Sequence, residues 1–252
     1  MIDIHSHVIP EVDDGSRSLN ETINMIRKIN EKGVKTLVAT PHYTPEMYEF
    51  PRDEIEMKVD FLNRILKTND IDTKILLGQE IMIDINTFDL LKDGIIGPIN
   101  DTRYVLIEFD MDIAMPNIDY IIKRIINKGF IPIIAHPERY KYVSEDINIA
   151  KKWVQNGALL QMNLGSISGI HGMLSKKTII KLLKENLIHL WGSDIHYFRP
   201  TYDNFDEHIK LIRKVVKNEK QADEILIHNN SKVISNEIIE PFKLNVKKGL
   251  FK

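Results

Sequence analysis

Short apolar runs alternate along the chain with longer segments in which apolar residues recur every three or four positions. The short runs are Met1 to Ile4, Thr36-Leu37-Val38-Ala39, Ile75-Leu76-Leu77, Tyr104-Val105-Leu106-Ile107, Ile131-Pro132-Ile133-Ile134-Ala135, Leu159-Leu160-Gln161-Met162 and Ile188 to Trp191. Each has the length of a buried strand. Between them the spacing predicts helices. Ser18 with Glu21 three residues later makes a capping box, Ile23, Met25, Ile26 and Ile29 supply an apolar face, and Gly33 ends that helix. Ile55, Val59, Leu62, Ile65 and Leu66 mark a second, and Ile118, Ile121, Ile122, Ile125 and Ile126 form a stripe that must face a sheet. Further helices are expected around Trp153, from Ile179 to Leu183, and through Phe205, Ile209, Ile212 and Val216. Repeated βα units of this kind predict one α/β domain with about seven units, close to the eight of a TIM barrel. The irregular stretch from Ile81 to Asn100 reads as an insertion, and the chain from about residue 231 as a polar tail; its Lys243, Lys247, Lys248 and Lys252 could touch an anionic membrane or partner, but a solvated tail is the commoner case.

Nearly every expected strand runs into a histidine or an acid. The endings are His5-Ser6-His7, Pro41-His42, Glu80, Glu108, His136 and Asp194-Ile195-His196. In a parallel barrel such endings meet at the C-terminal rim, where these folds place their chemistry. All are oxygen or imidazole donors, which suits a metal cluster built for hydrolysis. His5 and His7 fall on one side of an extended chain because side chains alternate with period two. A lone His-x-His pair is as well explained by surface histidines; the same spacing at Asp194 and His196, also at a strand end, favours ligands. Glu80 and Glu108 follow apolar strands, where a carboxylate is costly unless it meets a cation, though each could simply begin a solvated loop. His42 and His136 adjoin Pro41 and Pro137, which fix the turn leaving the rim.

His171, His189, His208 and His228 have no such context and read as ordinary structural or surface residues. Tyr43, Tyr48, Phe50, Tyr197, Phe198 and Tyr202 flank the ligand positions; covering a rim is a commoner role for loop aromatics than stacking on substrate. Arg139 and Arg199 each follow a candidate ligand by three residues, an offset that suits clamping a phosphate with paired hydrogen bonds. A salt bridge to Glu138 or Asp203 is the plain alternative for either.

Composition narrows the chemistry. Lys plus Arg number 34 and Asp plus Glu 36, so the net charge of -2 gives no field favouring nucleic acid. The chain has no cysteine, which excludes disulfides, thiolate-bound metal and a cysteine nucleophile. It opens directly on a strand, without a basic segment leading into an apolar one, and has no uncharged apolar run long enough to span a bilayer; a cytoplasmic protein with no membrane insertion is expected.

The segments Met1-Ile2-Asp3-Ile4-His5-Ser6-His7, Asp13-Asp14-Gly15, Gly78-Gln79-Glu80-Ile81, Leu106-Ile107-Glu108-Phe109, Ile133-Ile134-Ala135-His136-Pro137-Glu138-Arg139 and Gly192-Ser193-Asp194-Ile195-His196 resemble, in order and spacing, the polymerase and histidinol phosphatase (PHP) superfamily. More narrowly the chain is similar to the bacterial manganese-dependent protein-tyrosine phosphatases of capsule and exopolysaccharide operons. The resemblance implies a distorted seven-stranded βα barrel over residues 1–252 and three divalent ions, expected to be Mn²⁺, with Fe²⁺ or Zn²⁺ suited to the same ligand types. By that resemblance His5, His7, Glu80 and Asp194 hold one ion, Glu80, Glu108 and His136 a second, and Asp14, His42 and His196 a third. Asp14 rather than Asp13 follows from the family pattern alone. Carboxylates at Asp14 and Glu108, where other members often have histidine, favour the tyrosine-phosphatase branch.

The expected function is hydrolysis of phosphotyrosine in a protein, such as a cognate tyrosine kinase, by hydroxide generated between two ions, with Arg139 and Arg199 holding the phosphate. The leaving phenol has a pKa of about 10, so no dedicated general acid is assigned. The alternatives are a histidinol-phosphate or other small-molecule phosphatase and, from another class, a non-catalytic module that binds a kinase. If the cluster carries catalysis, chelation abolishes activity, Mn²⁺ restores it and thiol reagents do nothing. Full phosphatase activity in metal-free protein would overturn that expectation.

Overall fold

The structure is a computed structural model that describes residues 1–197, 200–240 and 242, with the side chains of Pro200 and Thr201 left aside. Phe198, Arg199 and the lysines from Lys243 onward therefore lie outside the described residues. In chain order the elements begin β1 (Ile2–Ser6), α1 (Leu19–Glu31), β2 (Thr36–Ala39), β3 (His42–Tyr43), α2 (Arg52–Thr68), β4 (Lys74–Leu77), β5 (Glu80–Met82) and α3 (Thr87–Asp93). There follow β6 (Tyr104–Glu108), α4 (Ile118–Asn127), β7 (Ile131–Ala135), α5 (Lys141–Glu145), α6 (Asn148–Gln155), β8 (Leu159–Asn163), α7 (Gly172–Lys184) and β9 (Leu190–Gly192). Helices α8 (Pro200–Asp203), α9 (Phe205–Val216), α10 (Glu219–Asp223) and α11 (Asn229–Ile234) complete it.

Among the described residues nine strand segments make seven strands. Thr40-Pro41 interrupts β2 before β3, and Gly78-Gln79 interrupts β4 before β5, yet Ala39 pairs with Leu77 and His42 with Glu80 in one unbroken register. Every ladder is parallel, and the circuit β1, β2/β3, β4/β5, β6, β7, β8, β9 closes where Ser6 bridges Ile195 and Asp194 N–H donates to the His5 carbonyl at 2.9 Å. The expected distorted seven-stranded βα barrel is the observed fold.

Period-two alternation divides each strand between two cores. Val38, Leu76, Leu106, Ile133, Leu159 and Leu190 pack with Ile4 inside the barrel, while Leu37, Ile75, Leu77, Val105, Ile107, Ile134 and Leu160 face the surrounding helices. The inward positions nearer the rim change character on the same face: Leu76 is followed two and four residues later by Gly78 and Glu80, Leu106 by Glu108, and Leu190 by Gly192 and Asp194. A Cβ at Gly192 would fall 2.4 Å from the His5 Cβ, and one at Gly78 would fall 2.8 Å from Val38 Cγ1. Glycine there leaves room for the layer above.

Three expectations need correction. Residues 81–100 are not an insertion: they continue β5 and form α3, the ordinary crossover to β6. Their pattern was obscured because α3 is seven residues long and Gly94, Gly97 and Pro98 crowd its exit. The chain from about 231 is not yet a tail, because Val233 and Ile239 are buried in the inner core and Asn230 is wholly buried. The Ser18 cap forms, with Glu21 N–H donating to Ser18 Oγ at 3.2 Å, but the Glu21 carboxylate accepts from Arg17 N–H instead of from Ser18.

Asn230 ties α11 to the barrel floor: its Nδ2 donates to the Ile2 and Trp191 carbonyls, each at 2.9 Å. Losing two buried bonds costs about 2 kcal/mol, or about 4–8 °C in Tm for a domain of this size. Asn230→Ala is expected to show that drop in a thermal melt with metal content unchanged; an unaltered Tm would contradict the tie.

Candidate metal centre

Glu80 is the centre of the cluster. Its Oε2 lies 3.0 Å from His5 Nε2, 3.2 Å from His7 Nε2 and 3.2 Å from His42 Nδ1, and its Oε1 lies 2.8 Å from His136 Nε2. The carboxylate is fully buried. Asp194 Oδ1 faces the same group, 3.5 Å from His5 Nε2, 3.4 Å from His7 Nε2 and 3.4 Å from His196 Nδ1. Glu108 Oε1 is 2.9 Å from His42 Nδ1, and its Oε2 is 3.8 Å from His136 Nε2. Asp14 Oδ1 is 3.3 Å from His196 Nε2 and 3.6 Å from His42 Nε2. The nine candidate ligands thus meet in one place.

Their donor atoms fall into overlapping groups: His5, His7, Glu80 and Asp194; His42, Glu80 and Glu108; and His7, Asp14, His42 and His196. The first is the expected set. The second has His42 in the place expected for His136, whose Nε2 stays 3.8 Å from Glu108 Oε2, and the third includes His7, whose ring stacks on His196 with centroids 3.8 Å apart. Both differences arise because His7 and His42 stand between neighbouring groups.

Local backbone aims these side chains. Between Asp3 and Ser6 the register of β1 against β2 slips by a residue, a bulge that turns His5 inward although Ile4 already faces the inner core. His136 (φ 33°) and Asp194 (φ 52°) sit in the left-handed region that ordinary side chains avoid, at about 1–3 kcal/mol each. Asp13 supports the group from behind: its Oδ2 accepts from His7 Nδ1 at 2.7 Å and from His42 N–H at 3.0 Å, and its Oδ1 accepts from Gly15 N–H.

Burial opposes charge on His5, but the Glu80 and Asp194 carboxylates outweigh it and push its pKa up to about 9. Burial likewise opposes charge on His7, and Asp13, Asp194 and Glu80 override it. Burial would raise Glu80, yet His5, His42 and His136 hold it well below the usual carboxylate range. Asp13, also opposed by burial, is held at about 2 by His7 and the two backbone donors. The field is one that demands positive charge at its centre. Asp194 Oδ1 is buried, has no hydrogen-bond donor and faces three imidazole nitrogens, an arrangement that a cation satisfies and neutral imidazoles do not. The donor set, neutral nitrogen and anionic oxygen without sulfur, fits divalent first-row metals.

Arg139 reaches the pocket wall and donates from Nη1 to Asp194 Oδ2 at 2.9 Å, so its ion pair is with a candidate ligand and not with Glu138. Glu138 turns the other way and accepts from Asn163 N–H and Ser166 Oγ. Arg199 lies outside the described residues. The pocket has an ionic floor of Asp14, His42, Glu108, His136, Asp194 and His196, and a wall that includes Met111, Ile170, His171 and Tyr197. His171, read as ordinary from the sequence, is therefore a pocket residue; a lone histidine in a loop carries no signal of it. Of the flanking aromatics Tyr197 lines the pocket and Tyr48 stacks on His42, while Tyr43 and Tyr202 are buried and Tyr202 bonds Asp3. His189 and His208 are buried structural residues, with His208 Nε2 2.9 Å from Ser168 Oγ.

Residues 1–235 match the family described as "Capsular polysaccharide synthesis, CpsB/CapC". The tyrosine-protein phosphatase YwqE of Bacillus subtilis (strain 168) is 35% identical over 216 residues, covering 85% of this chain and 84% of the relative. The tyrosine-protein phosphatase CpsB of Streptococcus pneumoniae is 31% identical over 246 residues, 95% of this chain and 100% of the relative. Among solved structures, one from the pair YwqE of Bacillus subtilis and CpsB of Streptococcus pneumoniae, metal-dependent tyrosine phosphatases, superposes with a TM-score of 0.89 at 32% identity, covering 96% of this chain and 100% of that chain.

Because His5 holds a proton up to about 9 in the metal-free protein and must give it up to bind a cation, metal affinity weakens as pH falls. Calorimetric titration of metal-free protein with Mn²⁺ at pH 7, in buffers of different ionisation enthalpy, is expected to report net proton release. Heats independent of buffer would contradict the charge assignment.

Proposed function

The chain belongs to the CpsB/CapC family of capsular polysaccharide synthesis, and from that premise we propose that it is a metal-dependent protein-tyrosine phosphatase that works without a cysteine nucleophile. One observation carries the reading: a single buried carboxylate, Glu80, approached by four imidazoles from three different strand ends. Nothing in ordinary packing rewards that convergence, whereas a multinuclear centre needs a bridging carboxylate.

Three Mn²⁺ are the proposed complement, with Fe²⁺ or Zn²⁺ meeting the same ligand types. His5, His7, Glu80 and Asp194 would hold the first, Glu80, Glu108 and His136 the second, and Asp14, His42 and His196 the third. Bound there, such ions supply Lewis acidity toward phosphate oxygens and acidify water near neutral pH. The protein's own groups do the rest. Arg139, partly exposed at the pocket wall, offers guanidinium donors to a phosphate oxygen while one donor holds Asp194 in place. Met111 and Ile170 give the wall an apolar side against which an aromatic ring can lie as the phosphate meets the ionic floor. Arg199 is proposed as a second phosphate donor. The substrate is proposed to be a phosphotyrosine protein, a cognate tyrosine kinase in the cytoplasm; no helix among the described residues is long and apolar enough to cross a membrane.

The test is a substrate panel on Mn²⁺-reconstituted protein: phosphotyrosine peptide, histidinol phosphate and a nucleotide, for the wild type and for Arg139→Ala. The peptide is expected to be the preferred substrate, and Arg139→Ala to lower kcat by roughly 10²-fold, about 3 kcal/mol of transition-state stabilisation. Metal should stay bound, since Asn163 still holds Asp194. Arg139→Lys should rescue poorly, because it lacks the paired donors. Preference for histidinol phosphate would make this a small-molecule phosphatase, turnover of nothing would leave a binding module, and normal kcat/KM in Arg139→Ala would reduce that arginine to an ion pair.

A further inference from the structure

Strand β8 supplies none of the candidate ligands, yet its inward face carries two wholly buried carboxamides, Gln161 and Asn163, at the level of the cluster. Apolar side chains fill the neighbouring inward position, Leu159. Two amides in that place need a reason, since each must find partners for every polar atom.

Their hydrogen bonds run in one direction. Gln161 Nε2 lies 2.6 Å from the Met162 carbonyl and 3.2 Å from Asn163 Oδ1, while its Oε1 lies 2.8 Å from His5 Nδ1. Reversing the amide would press an oxygen against the Met162 carbonyl oxygen, so Nε2 is the donor and Oε1 the acceptor. In the neutral form that binds a cation, His5 must then keep its proton on Nδ1, which leaves the Nε2 lone pair facing Glu80, His7 and Asp194. Asn163 is fixed in turn. Its Oδ1 accepts from Gln161, so its Nδ2 donates, and the recipient is Asp194 Oδ2. Arg139 occupies the same oxygen. The other oxygen, Oδ1, is the one left without a donor and turned to the imidazoles.

We propose that Gln161 and Asn163 are positioning residues for the first cation site: one amide pair selects both the nitrogen of His5 and the oxygen of Asp194 that face the metal. The pair links ligands from β1 and β9, the two strands whose junction closes the barrel, and connects them through Asp194 to Arg139. This rests on the metal-centre reading above and extends it to residues that touch neither metal nor substrate.

The experiment reads metal directly. Metal-free wild type, Gln161→Leu, Gln161→Glu and Asn163→Ala are titrated with Mn²⁺ in competition with a chromophoric chelator, with circular dichroism confirming the fold of each. Gln161→Leu, similar in volume but without an acceptor, is expected to weaken one Mn²⁺ by roughly 10–100-fold and leave the others near wild type. Gln161→Glu keeps an acceptor for His5 Nδ1 and, with its other oxygen protonated, a donor to the Met162 carbonyl, so it should bind that ion more tightly than Gln161→Leu. Asn163→Ala should weaken one ion by a similar factor, an independent reading should Gln161→Leu fail to fold. A merely structural role predicts the reverse order, with apolar leucine tolerated in the core and glutamate not. Wild-type affinity in both Gln161→Leu and Asn163→Ala, or tighter binding by Gln161→Leu than by Gln161→Glu, would overturn the proposal. Failure of the wild type itself to bind Mn²⁺ would instead overturn the metal-centre reading.

Discussion

The structure is organised around the Glu80 carboxylate. Placing an anion where no water reaches is costly unless positive charge meets it. Here four imidazoles converge on its two oxygens, and without a cation they can meet its charge only by holding protons. The upward push on His5 and His7 and the downward pull on Glu80 and Asp194 are therefore one fact seen from both sides. Bound divalent metal would resolve it by replacing the protons, which would couple metal loading to pH.

That demand explains departures from ideal barrel geometry. β1 bulges so that His5 can point inward above Ile4, and the register of β2/β3 with β4/β5 is kept across two interruptions so that His42 stays opposite Glu80. Gly192 is glycine because the His5 Cβ occupies the space a side chain would need. His136 and Asp194 accept left-handed backbone at the points where β7 and β9 turn out of the barrel. The barrel's lower layer is filled with aliphatic side chains and supplies the stability against which this strain is set.

The pocket above the cluster has two kinds of surface, and this division bears on chemistry. Its ionic floor gathers donors that would coordinate metal, while Met111 and Ile170 leave an apolar side. An aryl phosphate matches both. A phenol leaves readily as phenolate compared with an alkoxide, which lessens the need for proton donation to the leaving oxygen. Phosphotyrosine hydrolysis on this scaffold thus proceeds without the thiolate that a cysteine-based route requires, and the chain contains none.

The candidate ligands were legible in the sequence because strand ends are local: an apolar run of four or five residues followed by His5-Ser6-His7, Glu80, Glu108, His136 or Asp194 announces a rim position without knowledge of its neighbours. The α/β class was legible for the same reason, through the change of apolar period from two to three and four. Other features depended on what lies across the barrel. The bulge in β1, the sharing of His7 and His42 between groups, the bond from Arg139 to Asp194 and the place of His171 on the pocket wall join residues far apart in sequence. The crossover through residues 81–100 was obscured by its own short helix and its glycines, and α11 looked like tail because two adjacent buried asparagines and Val233 make no periodic stripe. Gln161 and Asn163 stood in the sequence as polar residues in an apolar strand, but only closure of β1 against β9 gave them something to hold. Local pattern determined by itself which residues reach the rim. Tertiary structure decided which atoms of those residues face one another, because hydrogen-bond direction and charge balance are properties of the assembled layer and of no single strand.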